Sequence, residues 1–362
     1  MTRPVDSPLI SVCVPTVNRL SYLEDALVSV VQQTARNWEL VVGENSADPE
    51  YGERVDHLIA TRTVGLPNSI RVIHQTHQLT MVAHANALLD MAAGDYLLYL
   101  PDDDRLRPKC LEVMTASVKA HPGADIVFSD HWIIRDDGSI DTAASESCSA
   151  RYGRAGLRPG RVSENDLLPL ALRGSIALQA ELLRRHMLGS SPFREEASRL
   201  PDFDLHLRLV QRRPALHVIY CPERLVEYRV HREQFSGRRS SAERRAEFHL
   251  QFLASLCSVT TLPPQSARLY RRKVAQHRAA LAGCYAQSRS WRRWWHSAVE
   301  AIDADPRWGP SYLSLLRPLI PARLPEAIRT RFRTVMAHSW LFWRKGHDGA
   351  GLSAGSRSGH EA

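Results

Sequence analysis

The chain has 362 residues, 44% hydrophobic and 24% charged, with a formal net charge of +8. No apolar run approaches the roughly 18 residues needed to cross a bilayer, and the six cysteines form no C-x-x-C pair, which excludes a spanning helix and a zinc or disulfide framework. The composition is that of a soluble globular protein in a reducing compartment, and the basic surface points to an anionic partner: a phosphate-bearing small molecule, an acidic membrane surface or a nucleic acid.

In chain order, "LISVCVP" (Leu9 to Pro15) is short and β-branched and predicts a buried strand rather than a signal peptide. A helical pattern follows from about Leu20 to Gln33, then a second strand, "WELVVGE" (Trp38 to Glu44). A helix around Tyr51 to Thr61 leads to a strand at Ile70 to Gln75, and a helix at about Met81 to Ala92 leads to another at Asp95 to Leu100. A helix after Pro108 precedes a fifth strand, Asp125 to Asp130. This alternation predicts parallel βαβ units with helices on both faces. In such sheets ligands sit beyond the carboxyl ends of the strands. Pro15 to Asn18, Glu44 and Asp102 to Asp104 all fall at such ends.

Further along, "RDDGS" (Arg135 to Ser139) is a hairpin turn signal, and Ser145 to Arg161, rich in Ser, Gly and Arg, reads as a mobile loop. A helix at about Leu200 to Arg212 precedes two strands, "LHVIYC" and "LVEYRVH". From about Arg238 the strand signal vanishes and the pattern is helical, rich in Arg and Trp, with a Gly/Ser-rich, disordered tail after Gly346.

Three aspartates in a row, Asp102 to Asp104, repel one another. They can cap the helix that begins near Pro108. They can also hold a hard cation, since Mg²⁺ or Mn²⁺ is bound by one or two carboxylates plus substrate phosphates. The strand-end position favours the cation. Asp202 and Asp204 stand at a helix start, where acids also favour the helix dipole, and His231 ends a strand. Neither G-x-G-x-x-G after the first strand nor G-x-x-x-x-G-K-[ST] occurs, which argues against a nicotinamide oxidoreductase and a P-loop enzyme.

The ordered set "ISVCVPTVNR", "WELVVGEN", "GDYLLYLPDDDRLRP", "PDFDLHLRL" and "YRVHREQFS" resembles the family 2 glycosyltransferases. The resemblance spans about Pro8 to Ser236. It implies an α/β GT-A fold: a mixed, mostly parallel sheet flanked by helices, here with a C-terminal helical extension. It implies a catalytic domain over residues 1–237, a helical region over 238–345 and a tail over 346–362. It also implies sugar transfer from a nucleotide-diphosphate donor to an acceptor hydroxyl with inversion, in glycan, polysaccharide or glycoconjugate biosynthesis. The alternative is a non-catalytic sugar-nucleotide or glycan-binding module on the same fold.

By the same resemblance Asp103 is the main ligand of a divalent metal, Mn²⁺ or Mg²⁺, with Asp104 and His231 as further ligands. Asp102 contacts the donor ribose or the metal, Glu44 holds the nucleotide base, and Pro15 and Thr16 pack around it. Asp202 is the catalytic base. The sequence departs from the family pattern at Val17, where Tyr is frequent, at Glu44 for Asp, at Ala85 for Arg and at Pro201 for an acid.

The stretch Arg268 to Ile302 mixes Arg and Lys with Trp at helical spacing. It reads as a helical cap on the catalytic domain or as an interfacial surface for anionic lipid. No nucleic-acid-binding motif accompanies its charge. The expectation is a cytoplasmic protein, peripheral on the inner face of a membrane, that acts on a glycan, lipid-linked or small-molecule acceptor.

Overall fold

A computed structural model describes residues 7–46, 48–197, 200–212, 215–231, 234, 242–257 and 264–306. The chain divides into two compact units, Met1–Arg238 and Arg239–Ala362.

The first unit is built on a nine-stranded sheet. Its strands are β1 (Ile10–Thr16), β2 (Trp38–Glu44), β3 (Ile70–His74), β4 (Tyr96–Tyr99), β5 (Arg105–Leu106), β6 (Ile126–Ile134), β7 (Gly160–Arg161), β8 (Glu181–Arg184) and β9 (Val218–Arg229). The order is β3-β2-β1-β4-β8-β6-β9-β5, with β7 paired to β9. The helices are α1 (Leu20–Val31), α2 (Pro49–Arg62), α3 (Met81–Asp90), α4 (Cys110–Ala120), α5 (Thr142–Arg151), α6 (Glu164–Arg173) and α7 (Pro201–Arg212).

Both faces of the sheet are covered, so the central strands read as continuous apolar runs instead of alternating ones. The period of two still sorts their side chains. Ile10, Val12 and Val14 of β1 and Leu40 and Val42 of β2 join a core with Leu23 and Leu27 of α1, Val55 of α2 and Met114 of α4. Cys13 and Val41, the odd positions, join the opposite core with Leu88 of α3, Leu170 of α6 and Leu205 of α7.

Strand direction fixes where function can sit. β1 pairs in parallel with β2 and β4, and β2 with β3. β8 is antiparallel to both β4 and β6, so β6 runs with β4, and β9 is parallel to β6. The carboxyl ends of β1, β2, β4 and β9 therefore lie on one edge.

The structure corrects two expectations and adds one strand. Ser145 to Arg161 is not a loop: it holds most of α5, a 3₁₀ turn and β7. Asp141 caps α5 by accepting the Ala144 N–H at 2.9 Å, and Ser145 turns inward to accept the Ile133 N–H at 2.8 Å. Small hydroxyls that satisfy backbone groups can be buried, which a polar composition hides. The two strands predicted around Tyr220 and Tyr228 are one strand, β9, whose register against β6 shifts beside Asp130. The antiparallel strand β8 had no separate signal, being four residues between two 3₁₀ turns. At the hairpin signal the Arg135 N–H donates to the Ser139 carbonyl at 2.8 Å, with Gly138 at φ 82.

The second unit contains α8 (Ala242–Cys257), α9 (Pro264–Gln287) and α10 (Trp291–Ala304). Trp294, Ala298 and Ala301 of α10 pack on Ala279, Ala282 and Ala286 of α9. The chain breaks between these helices at Arg289, which takes φ 56. The predicted disordered tail lies outside the described residues. Among the described residues no helix is long and apolar enough to cross a membrane.

Candidate active site

β4 ends in Tyr99, and the turn that follows carries Asp102, Asp103 and Asp104 into the interior edge of the sheet. All three are buried. Burial pushes the Asp102 carboxyl up to about 7; Arg19 opposes the rise and Asp103 adds to it. Asp104 is raised well above the usual carboxylate range, first by burial and then by Asp103. A fold that only needed a turn here would not bury three adjacent carboxyls at such cost.

The cluster is held from β1 and its loop. Thr16 Oγ1 donates to Asp102 Oδ2 at 2.8 Å, and the Val17 N–H donates to the same carboxyl. Tyr51 OH lies 2.8 Å from Thr16 Oγ1 and accepts the Arg19 N–H at 3.0 Å. Asn18 takes φ 54, a left-handed conformation that Asn tolerates, and so turns the chain to bring Arg19 over the acids. Arg19 Nη2 is 2.6 Å from Asp102 Oδ1, and Nη1 is 2.8 Å from Asp103 Oδ2.

From the end of β9, His231 Nε2 lies 3.0 Å from Asp103 Oδ2, with its ring against Tyr22. The Arg229 N–H donates to Asp104 Oδ1 at 2.8 Å, and its buried guanidinium donates to the Asp103 carbonyl at 2.9 Å. Among the described residues Asp104 Oδ2 is buried with no hydrogen-bond partner, and Asp102 Oδ1 has only the unaligned approach of Arg19.

The site at the end of β2 adjoins this cluster. Thr16 sits opposite Glu44 in the parallel register, and Pro15 opposite Gly43. Glu44 is buried; its Oε1 accepts the Ser46 N–H at 2.5 Å and its Oε2 lies 3.4 Å from His74 Nδ1. Val17 is half-buried. Ala85 packs in the core around α3, so nothing at that position can serve the site.

Asp202 belongs to a second group. It opens α7, is half-buried, and its Oδ1 accepts the Phe203 N–H at 2.8 Å. Its charge acts on Tyr152, Glu181 and His206. Glu181 and His206 form a buried pair at 2.8 Å. Burial alone would lower the His206 pKa, but Glu181 outweighs it and the net shift is upward. Asp204 is different: its buried carboxylate is held by Arg194 and by Arg208 Nε at 2.8 Å. That leaves Asp202 as the exposed-side acid of α7, with no ion pair among the described residues.

The structure thus gathers Thr16, Asp102, Asp103, Asp104 and His231, places Pro15 and Glu44 beside them on the next strand, and keeps Asp202 in its own group. Sequence reading missed Arg19, Tyr51 and Arg229. Arg19 was inside a quoted motif, yet an Arg after a strand carries no signal of its own.

Among the described residues no group of three or more His, Cys, Asp or Glu side chains is arranged to hold a metal. The donor set nonetheless suits Mg²⁺ or Mn²⁺, which need one or two carboxylates and take the remainder from water and phosphate oxygens. Asp102 and Asp103 are two such carboxylates, and the partnerless Asp104 oxygen lies in the same turn.

The family described as "Glycosyl transferase family 2" matches residues 11–169. Protein y4gI of Sinorhizobium fredii is 29% identical over 212 residues, 58% of this chain but only 21% of that longer relative. A PGL/p-HBAD biosynthesis glycosyltransferase of Mycobacterium tuberculosis is 26% identical over 218 residues, 59% of this chain and 74% of the relative. Among solved structures, S. aureus TarS 1–349 in complex with UDP superposes with a TM-score of 0.55 at 14% identity, covering 93% of this chain and 91% of that one. The mannosyltransferase PcManGT of Pyrobaculum calidifontis, in complex with GDP-Man and Mn²⁺, gives 0.51 at 15% identity, covering 87% of each. With β2 to β4, the acidic turn and α4 inside the matched segment, residues 11–169 are similar to the family 2 glycosyltransferases, and the fold is the GT-A fold of the solved structures on which the chain superposes.

Proposed function

We propose that the chain transfers a sugar from a nucleotide-diphosphate donor to an acceptor hydroxyl, with inversion, using a divalent cation. The observation that carries this reading is the buried Asp102–Asp103 pair at the common carboxyl edge of β1, β2 and β4, with Asp202 kept apart on α7. Departure of a nucleoside diphosphate leaves several negative charges, and a cation on Asp102 and Asp103 would supply their stabilisation. Thr16 and the Val17 N–H fix Asp102; His231 fixes Asp103. In this reading His231 orients the carboxylate rather than donating directly, and Asp104 braces the turn through Arg229. Glu44 and Pro15 border the base. Asp202 takes the acceptor proton as the hydroxyl attacks, which a half-exposed carboxylate at a helix start can do.

UDP and GDP are the first donors' nucleotides to try, because the TarS and PcManGT complexes contain UDP and GDP-Man. Calorimetry should show one of them binding in the presence of Mn²⁺ and losing affinity when the metal is chelated. Equal affinity with and without metal would remove the cation from the reading. The acceptor classes to try are a glycan, a lipid-linked hydroxyl and a small molecule.

A membrane contact through α10 belongs to the same proposal and would favour a lipid-linked acceptor. Trp291, Trp295 and Val299 recur every four residues and are 48%, 63% and 36% exposed, a single apolar stripe on the helix. Arg292 and Arg293 are exposed beside it. Trp rings at headgroup depth, flanked by basic residues worth about 1 kcal/mol each near an anionic surface, would give reversible, salt-sensitive attachment. The full chain is expected to float with phosphatidylglycerol vesicles at low salt, to release at high salt and to ignore phosphatidylcholine. A Trp291→Ser/Trp295→Ser variant should stay at the bottom of the gradient; a variant that floats like the wild type would dismiss the stripe.

A further inference from the structure

Arg19 occupies the place where a cation would act. Its two Nη atoms lie 2.6 Å from Asp102 and 2.8 Å from Asp103. The same Asp103 oxygen also meets His231 at 3.0 Å, so its outward lone pairs are already engaged. A cation that binds Asp103 through this oxygen must displace one of the two donors. His231 is buried and packed against Tyr22. The Arg19 side chain is 24% exposed, above carboxylates that are 0% and 8% exposed. Arg19 is therefore the donor that can leave.

Its backbone cannot go with it. The Arg19 N–H is tied to Tyr51 OH at 3.0 Å, and its carbonyl accepts the Leu23 N–H at 3.0 Å in the first turn of α1. The displaced guanidinium stays anchored at the rim of the acidic turn. Anything those carboxylates hold through a cation is then within reach of the same side chain. A diphosphate is the partner that a planar, bidentate guanidinium matches best.

The geometry points to Arg19 as a shared counter-ion. Without a cation it neutralises Asp102 and Asp103; with cation and donor present it leaves them and binds the donor's diphosphate. This rests on the metal-dependent reading above and adds to it a residue and an order of events. Mn²⁺ alone binds against competition from Arg19. A nucleoside diphosphate relieves that competition by giving Arg19 a new partner, so metal and nucleotide each strengthen the other's binding, reciprocally.

The test is calorimetry on the full chain, wild type against Arg19→Gln and Arg19→Lys, with Mn²⁺ alone and then with UDP and GDP at saturating Mn²⁺. Arg19→Gln is expected to bind Mn²⁺ alone about tenfold more tightly, and the nucleoside diphosphate about tenfold more weakly, the scale of one hydrogen-bonded charge pair. Arg19→Lys keeps the charge without the fork and should shift both affinities in the same directions by less. The metal-free Arg19→Gln protein should also melt earlier, with Mn²⁺ recovering more of the loss than it adds to the wild type. If Arg19→Gln does not fold, the Lys variant decides. Mn²⁺ affinity unchanged or weakened in the variants would overturn the counter-ion role, and unchanged nucleotide affinity would overturn the diphosphate role. A wild type that binds neither nucleotide with Mn²⁺ would instead overturn the metal-dependent reading, and this inference with it.

Discussion

Asp103→Ala protein is expected to bind a nucleoside diphosphate with Mn²⁺ at least about 100-fold more weakly than wild type, since changes even in residues behind a metal's ligands cost 10- to 100-fold. Asp103 Oδ2 is the point where Arg19 and His231 converge. Truncation leaves His231 without its carboxylate, leaves Arg19 with Asp102 alone, and removes one of two acids able to hold a cation. The turn itself should survive, because Arg229 Nε bonds the Asp103 backbone carbonyl and the Arg229 N–H bonds Asp104. A far-UV spectrum like that of the wild type would confirm the fold is kept. Residual nucleotide binding should no longer respond to Mn²⁺. Wild-type, metal-dependent affinity in this variant would take Asp103 out of the site.

Asp202→Asn makes the complementary separation. The amide keeps the shape of the side chain and an oxygen for the Phe203 N–H, but it cannot take a proton. Transfer should fall by about 10²-fold or more, the usual contribution of a general base, while nucleotide affinity with Mn²⁺ stays unchanged. Two acids of this group are already engaged by cationic or imidazole partners. Asp204 is neutralised by Arg194 and Arg208, and Glu181 is paired with His206. Full transfer by Asp202→Asn would assign the proton to another group; lost nucleotide binding would make Asp202 part of the donor site.

The sequence disclosed the left half of the sheet well, and for a physical reason. β1, β2 and β4 are buried on both faces, so each appears as a short apolar run between helical patterns, and Trp38–Glu44 was read to the residue; the edge strand β3 is only half-buried. The right half was harder. β8 has four residues and runs against its neighbours, and β9 crosses Pro222 without breaking, so propensity split it in two. α5 was hidden because Ser145 and Ser149 are core-facing in spite of their hydroxyls.

The acidic turn was legible for a different reason. Three adjacent carboxyls after an apolar strand are costly unless something positive meets them. What the pattern could not disclose is the identity of that positive charge. In the structure it is Arg19, with the His231 ring as a further partner of Asp103; the two are brought from 84 and 128 residues away in sequence. The buried Arg229, which holds two successive aspartates through backbone and side chain, was equally silent in "YRVH". Such contacts between distant segments depend on sheet order, which local periodicity does not encode. The contrast between Asp202 and Asp204 also needed the structure: only there do Arg194 and Arg208 single out one of two similar acids.

The account stands or falls on turnover with a cation. The direct measurement is nucleotide release from a panel of UDP- and GDP-sugars with the full chain, with Mn²⁺ present and after chelation. It predicts release of UDP or GDP from at least one sugar that needs the metal, is stimulated by an acceptor hydroxyl, and is lost in both Asp103→Ala and Asp202→Asn. Release that persists undiminished after chelation, or binding of a nucleotide-sugar without any release across acceptors, would contradict it.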